Sequence, residues 1–142
     1  MYPSEVRTRI LNEHDELRVR LDALHAASET EMDAVVIRGA MHEFRDLLFA
    51  HIEREEALIL PELKQVDGFG EERVRALREE HEAQRKELDA LIAKVETLEG
   101  VALRSQVEGF VARLREDMSH EEQTHLSERL LKDDIVNVDV GT

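Results

Sequence analysis

The residues of this chain that could carry out chemistry are histidines and carboxylates. The 142-residue sequence contains seven His and 33 Asp and Glu, but no Cys. The lack of Cys excludes thiolate catalysis, a disulfide framework and a cysteine-ligated metal. Imidazole nitrogens and carboxylate oxygens can bind iron, manganese or zinc. Any metal site in this sequence must therefore be built from these two types of side chain.

Five of these ionisable residues recur among apolar residues at helical intervals of three and four. A single buried histidine is usually a core residue that hydrogen-bonds a backbone or carboxylate group, and this interpretation suits each one taken alone. Several ionisable groups in one core, however, cost several kcal/mol each unless they are paired or metal-bound. His51 and Glu55 are spaced i, i+4 and therefore share one helix face, where the Glu55 carboxylate can bridge two ions. The five are His14, His51, Glu55, His81 and Glu121.

Four amphipathic stretches with a 3.6-residue period must position these residues. Ser4 has the side chain of a helix N-cap, residues 28–30 offer a break with a new cap, and Pro61 is expected to end or kink the second stretch. The sequence predicts an all-α fold, an up-down-up-down antiparallel four-helix bundle over residues 1–132, with a short extended C-terminal tail over residues 133–142. The stretches cover about residues 4–27, 31–61, 71–98 and 101–131.

Distances along the bundle place the polar residues in one layer. In an antiparallel bundle, residues equally far in sequence from a shared turn lie at one level. With turns near residues 31, 68 and 100, His14 and His51 differ by about 4 Å along the axis, at about 1.5 Å per residue. His81 then lies opposite the region of residue 119 on the fourth helix. The layer predicts a metal site of mixed nitrogen and oxygen ligands, whereas His25 and His42 fall outside it.

The fourth helix offers several candidate ligands. Glu121 is the best supported, because it lies both on the apolar stripe and at the height of the layer. Asp117, four residues earlier, repeats the i, i+4 spacing of the second helix at the right height. His125 is the second choice, since it shares the phase of the stripe but lies about one turn beyond the layer. His120 points well away from the stripe and is a ligand only in a different register.

The acidic composition argues against two classes of partner. The net charge of −14 repels nucleic-acid phosphates and anionic lipid headgroups, and it attracts cations. The apolar runs are short, and residues 1–5 have neither the basic nor the apolar region of a secretory leader. We therefore expect a cytoplasmic protein with no nucleic-acid or membrane partner.

The segment over residues 51–63, which reads HIEREEALILPEL, resembles the second helix of the hemerythrin-like (HHE cation-binding) family. That helix typically reads His-x-x-x-Glu, then an apolar stretch and Pro. Glu13-His14, Glu80-His81-Glu82 and the segment 117–122 fit the other ligand segments in order and spacing, so the resemblance covers nearly the whole bundle. It implies two iron ions in an oxo- and carboxylate-bridged di-iron centre, although ligand softness alone also permits manganese or zinc.

The chain departs from the family pattern at two positions. Arg85 stands where the oxygen carriers have a second histidine on the third helix, and Asp117 stands where many relatives have histidine. Because arginine stays protonated it is a poor ligand, so we expect Arg85 to pair with a site carboxylate or to guard the entrance. The ligand set that the resemblance implies is His14, His51, Glu55, His81, Asp117 and Glu121, with His125 and His120 as second choices.

The resemblance also implies a range of functions. We expect a protein that binds, senses or reacts with a small diatomic ligand (oxygen or nitric oxide) or peroxide, or that responds to iron. Reversible oxygen carriage is a weaker expectation, because fewer imidazoles and more anionic oxygens favour ferric iron. One alternative is a di-iron enzyme that reduces peroxide or oxidises iron. Another is a non-catalytic helical module whose tail, with Val136, Val138 and Val140, binds a protein partner or mediates self-association.

Overall fold

The predicted four-helix bundle is confirmed by a computed structural model, which describes residues 1–31 and 33–133. The helices run up and down in chain order, and in the described part of the chain no helix is both long and apolar enough to cross a membrane. The predicted tail lies outside the described residues except for Asp133. The helices are α1 (Pro3–Thr30), α2 (Ala34–Val66), α3 (Gly70–Val95) and α4 (Gly100–Gln123).

The buried apolar side chains form two clusters, one toward each end of the bundle. The larger includes Leu21, Leu48 and Leu103, and the smaller surrounds Ile59 and Leu77. Along the chain, each of the five inward-facing His and Glu residues lies between members of the two clusters. The fold therefore places a polar layer between two apolar ends, where hydrophobic burial supplies the main stabilisation.

Three of the predicted helix signals at the starts of α1 and α2 act differently in the structure. Ser4 lies inside α1, behind Pro3 at the first helical position, and its backbone N–H and hydroxyl donate to the Asp133 carboxylate at 2.9 and 2.6 Å. Ser28 and Thr30 do not cap α2, because their hydroxyls donate back to carbonyls of α1. Asp33 is the α2 N-cap, and its carboxylate accepts the Val35 N–H at 2.9 Å.

The second helix does not end at Pro61 but continues to Val66. The last turn is held by packing, since Leu63 is fully buried in the smaller cluster. The following turn depends on Gly70, because a Cβ there would overlap the backbone of Lys64.

The fourth helix ends at Gln123, several residues before the predicted end near Leu131. Thr124 closes it, with its backbone N–H and its hydroxyl both donating to the His120 carbonyl. The chain then turns so that Leu126 and Leu131 are buried in the smaller cluster. His125 thus follows the helix, and its position could not be deduced from the helical period.

Candidate metal centre

The structure brings together five of the predicted ligand residues, at least one from each helix. They lie at the middle of the bundle, and none is more than 3% exposed. α1 contributes one histidine, α2 a histidine and a glutamate one turn apart, α3 one histidine and α4 one glutamate. The five are His14, His51, Glu55, His81 and Glu121.

The two carboxylates of this centre lie between histidines from opposite helices. The His14 Nε2 atom is 3.3 Å from Oε1 of both Glu55 and Glu121. The His81 Nε2 atom is 2.7 Å from Oε2 of Glu55 and 3.3 Å from Oε2 of Glu121. Each carboxylate therefore offers one oxygen to each histidine, which is the arrangement of a ligand that spans two cation positions.

The five residues divide into two overlapping groups that could each hold an ion. One group contains His14, His51 and Glu55, and the other contains Glu55, His81 and Glu121, with ligand atoms within 4.8 Å of one another in each. The rings of His14 and His51 have centroids 5.0 Å apart. Because Glu55 belongs to both groups, the side chains describe two adjoining positions that share a carboxylate.

Several polar atoms of the centre have no hydrogen-bond partner among the described residues. Both Oε atoms of Glu55 and Oε1 of Glu121 are fully buried and accept no well-directed hydrogen bond, although histidine nitrogens lie near them. An unsatisfied buried polar atom costs about 1–3 kcal/mol. The oxygens and the Nε2 atoms thus face a common space, and this arrangement fits metal ligands of mixed nitrogen and oxygen type.

Burial and mutual contact shift the protonation of these residues. Burial and the adjacent Glu121 carboxylate raise the pKa of Glu55 to about 7. Burial disfavours charged histidine, but the adjacent carboxylates of Glu121 and Glu55 outweigh it and raise the pKa of His14 and of His81 to about 10. Although burial acts the other way, the proximity of Glu55 and of both histidines holds the pKa of Glu121 well below its usual value. Burial and the charge of His14 lower the pKa of His51.

The Nδ1 atom of each inward histidine, the nitrogen on the outer side of the ring, contacts a carboxylate from a neighbouring helix. The sequence pattern did not single out these carboxylates as functional. The sequence contains one signal that could have found them, because each of these carboxylates directly precedes or follows an inward-facing residue in the chain. On a helix that neighbour is turned by about 100°, toward the adjoining helix. The Nδ1–carboxylate pairs are His14 with Glu122 at 2.8 Å, His51 with Glu13 at 3.1 Å and His81 with Glu56 at 3.2 Å.

The structure does not bring every predicted ligand into the centre. Asp117 is half-buried and outside both ligand groups of the described residues, and burial together with Glu87 and other acidic neighbours raises its pKa. His120 is exposed, with Nε2 3.7 Å from the Glu80 carboxylate. His125 is buried, with Nε2 3.3 Å from the same carboxylate and with no partner for Nδ1 among the described residues.

Arg85 and the two remaining histidines lie outside the ligand groups of the centre. The Arg85 guanidinium is 3.7 Å from the Glu56 carboxylate, which itself contacts His81. His25 is part of a separate surface group with Glu29 and Glu108, and the side chain of His42 is 55% exposed. Arg85 thus contacts a carboxylate that holds one of the inward histidines.

The comparison with known families agrees with this geometry. The family model described as hemerythrin HHE cation binding domain matches residues 6–127, from the first turns of α1 to just beyond α4. No curated protein and no solved structure matches the chain significantly. Because the match covers well over half of the chain, the chain belongs to this family, as the sequence resemblance predicted.

Proposed function

We propose that this member of the hemerythrin HHE cation-binding family binds two iron ions at the buried layer, and that the centre binds, senses or reacts with oxygen, peroxide or nitric oxide, or responds to iron. The observation that carries the proposal is a set of three buried carboxylate oxygens that face histidine Nε2 atoms and have no hydrogen-bond partner within residues 1–31 and 33–133. Family membership favours iron over the other metals that this donor set accepts.

The proposed ligand set follows from the two groups of side chains. His14 and His51 would hold one ion, His81 would hold the other, and Glu55 and Glu121 would each give one oxygen to each ion. Asp117, His120 and His125 stay outside this set, because none of them belongs to either ligand group found among the described residues. Bound iron would supply redox chemistry and coordination positions for a small ligand.

The surrounding residues shield the layer from bulk solvent. The two apolar clusters cover it from both ends of the bundle, and none of its five residues is more than 3% exposed. Burial of this kind strengthens the electrostatic interactions among the inward nitrogens and oxygens. This environment suits a small uncharged ligand such as oxygen or nitric oxide better than a large or highly charged substrate.

The two proposed ion positions are unequal. Among the described residues, two imidazoles face one position and one, that of His81, faces the other. A donor set with few imidazoles and two shared carboxylates favours ferric iron, and the position with fewer protein ligands has more room for an external ligand. This asymmetry supports reaction or sensing over reversible oxygen carriage.

Metal analysis combined with optical spectroscopy tests the proposal. Protein produced in iron-rich medium should contain about two iron ions per chain, and its spectrum under air should change after reduction and after addition of nitric oxide or peroxide. His51→Ala should lower the iron content, whereas His42→Ala, an exposed histidine of the same helix, should not. Protein with no metal, or with zinc alone, would contradict the proposal.

The same preparations separate a sensor from an enzyme. Sustained turnover of hydrogen peroxide by the wild-type protein, lost in His51→Ala and kept in His42→Ala, would identify the centre as catalytic. Binding of nitric oxide or oxygen with a single spectral change and no turnover would identify it as a binding or sensing centre.

A further inference from the structure

The carboxylates that contact the outer nitrogens of the three inward histidines follow one geometrical pattern. Each carboxylate comes from a different helix than its histidine, so each pair joins two helices. The order runs around the bundle, from α4 to α1, from α1 to α2 and from α2 to α3. A pattern that repeats at three histidines and three helix pairs is unlike the scattered contacts of a solvated acidic surface.

Each of these carboxylates also has an arginine beside it. Arg54 donates from Nε and Nη2 to one oxygen of Glu13, at 2.9 and 2.7 Å. Arg18 donates from Nη2 to Glu122 at 2.7 Å, on the oxygen that His14 does not use. The Arg85 guanidinium lies 3.7 Å from its carboxylate. The charge-assisted bonds of Arg54 and Arg18 fix their carboxylates more firmly than solvent does, because arginine stays protonated, whereas Arg85 acts on its carboxylate through charge at a longer distance.

We propose that these three carboxylates and their arginines are positioning residues of the metal centre, an inference that rests on the proposed function. A carboxylate that accepts the Nδ1–H of a histidine sets the tautomer with the Nε2 lone pair directed inward, and it makes Nε2 a better donor to a metal. Because every pair spans two helices, the ligands are also fixed relative to one another. The residues are Glu13, Glu56, Glu122, Arg18, Arg54 and Arg85.

Glu122→Gln is the sharpest test, because this pair has the shortest contact, at 2.8 Å. Glutamine keeps the size of the side chain and loses its charge. With Co²⁺ as the probe, competition against a chelator should show about 10- to 100-fold weaker binding. The Nδ1–H of each ligated histidine should give one exchangeable, strongly shifted proton signal in the NMR spectrum of the Co²⁺ protein. The variant should lose or move the His14 signal and keep the other two.

Arg18→Leu distinguishes the effect of the arginine on metal binding from the effect of the Glu122 carboxylate. It leaves the contact between His14 and Glu122 in place, so the three proton signals should remain while Co²⁺ affinity falls by less than in Glu122→Gln. Circular dichroism of the metal-free variants establishes that the bundle is folded before affinities are compared.

Glu29→Gln is the matched control. Glu29 contacts His25 Nε2 at 3.1 Å, which is the same kind of contact, and both residues lie in the surface group away from the layer. The control should keep wild-type Co²⁺ affinity, stoichiometry and proton signals, and unchanged stoichiometry also places the counted ions in the buried centre.

The outcomes distinguish the two proposals. Wild-type protein that binds no Co²⁺ and no iron overturns the proposed function, and this inference with it. Wild-type protein that binds the ions, together with a Glu122→Gln variant of unchanged affinity, overturns the inference alone. A weakened affinity with all three proton signals unmoved also overturns it, because the residue would then act on the fold and not on the histidine.

Discussion

Metal loading should release protons, and their number follows from the protonation of the layer. In the metal-free protein the pKa values of His14 and His81 are raised to about 10 by Glu121 and Glu55 against the effect of burial, and burial raises that of Glu55 to about 7. At pH 7 both histidines are therefore protonated, and Glu55 holds a proton in part of the molecules. Ions that bind Nε2 and the carboxylate displace these protons, so full loading should release about two to three protons per chain.

The sign of the pH dependence follows from the same values. Each released proton contributes one order of magnitude per pH unit, so the overall binding constant should rise by about two to three orders of magnitude per unit near pH 7. In the metal-free protein, the stability that comes from His14 and His81 is complete below their ordinary pKa of 6.5 and is lost as the pH rises through about 10. The melting temperatures of the loaded and metal-free forms should therefore diverge across this range.

Isothermal titration calorimetry with Zn²⁺, which undergoes no redox change, measures the proton release directly. Titrations at pH 7 in buffers of different ionisation enthalpy give the number of protons as the slope of observed enthalpy against that enthalpy. His42→Ala, an exposed histidine of α2, should give the wild-type number. Release of fewer than one proton, or a binding constant independent of pH, would refute the charge state assigned to the layer.

Three substitutions test the fold and the ligand set. Gly70→Ala should lower the free energy of unfolding by about 1–3 kcal/mol in urea titrations, because its Cβ meets backbone, whereas Gly68→Ala, with open space, should change it by less than about 0.5 kcal/mol. Leu103→Ala should cost about 2–5 kcal/mol because that side chain is fully buried, and the partly exposed Leu47→Ala should cost less than about 0.5 kcal/mol. Asp117→Asn should keep the wild-type metal content, and a loss of one ion would return Asp117 to the ligand set.

The inward layer could be predicted from the sequence because helix geometry is nearly invariant. A rise of about 1.5 Å and a turn of about 100° per residue are enough to place His14, His51 and His81 on inner faces at one height. The prediction needed only the approximate positions of the turns, and an error of a few residues in a helix end moves the height by only a few ångströms.

The outer carboxylates could not be identified in the same way. Glu13, Glu56 and Glu122 lie between the inner and outer faces, where their periodicity is that of ordinary surface acids in a chain with 33 of them. Which neighbouring helix they face depends on the order and spacing of helices in the bundle. Only the structure supplies that information, although the sequence does show that each of the three carboxylates stands directly next to an inward-facing residue.

Helix ends were the other features that local sequence patterns did not predict correctly. Ser4 has N-cap chemistry, yet Pro3 begins the helix and the serine bonds Asp133, more than a hundred residues away. Pro61 removes a backbone donor, but burial of Leu63 beyond it holds the last turn in helical form. At Pro61 a tertiary contact thus outweighs a local preference of about 3 kcal/mol, whereas at Ser4 a second local signal, proline at the first helical position, sets the start of the helix.

With metal bound at the polar layer as proposed, the stability of the bundle should depend on metal. Hydrophobic burial stabilises the clusters at both ends, whereas the middle contains carboxylate oxygens that have no hydrogen-bond partner in the part of the chain that the structure describes. An ion that binds only the folded state adds a free energy that grows with the logarithm of its concentration, about 4 kcal/mol at a thousand times the dissociation constant. Since domains of this size are stable by only about 5–15 kcal/mol, iron supply should change the unfolded fraction substantially. A response to iron would then need no reaction with oxygen, because ligation of the layer would itself be coupled to folding.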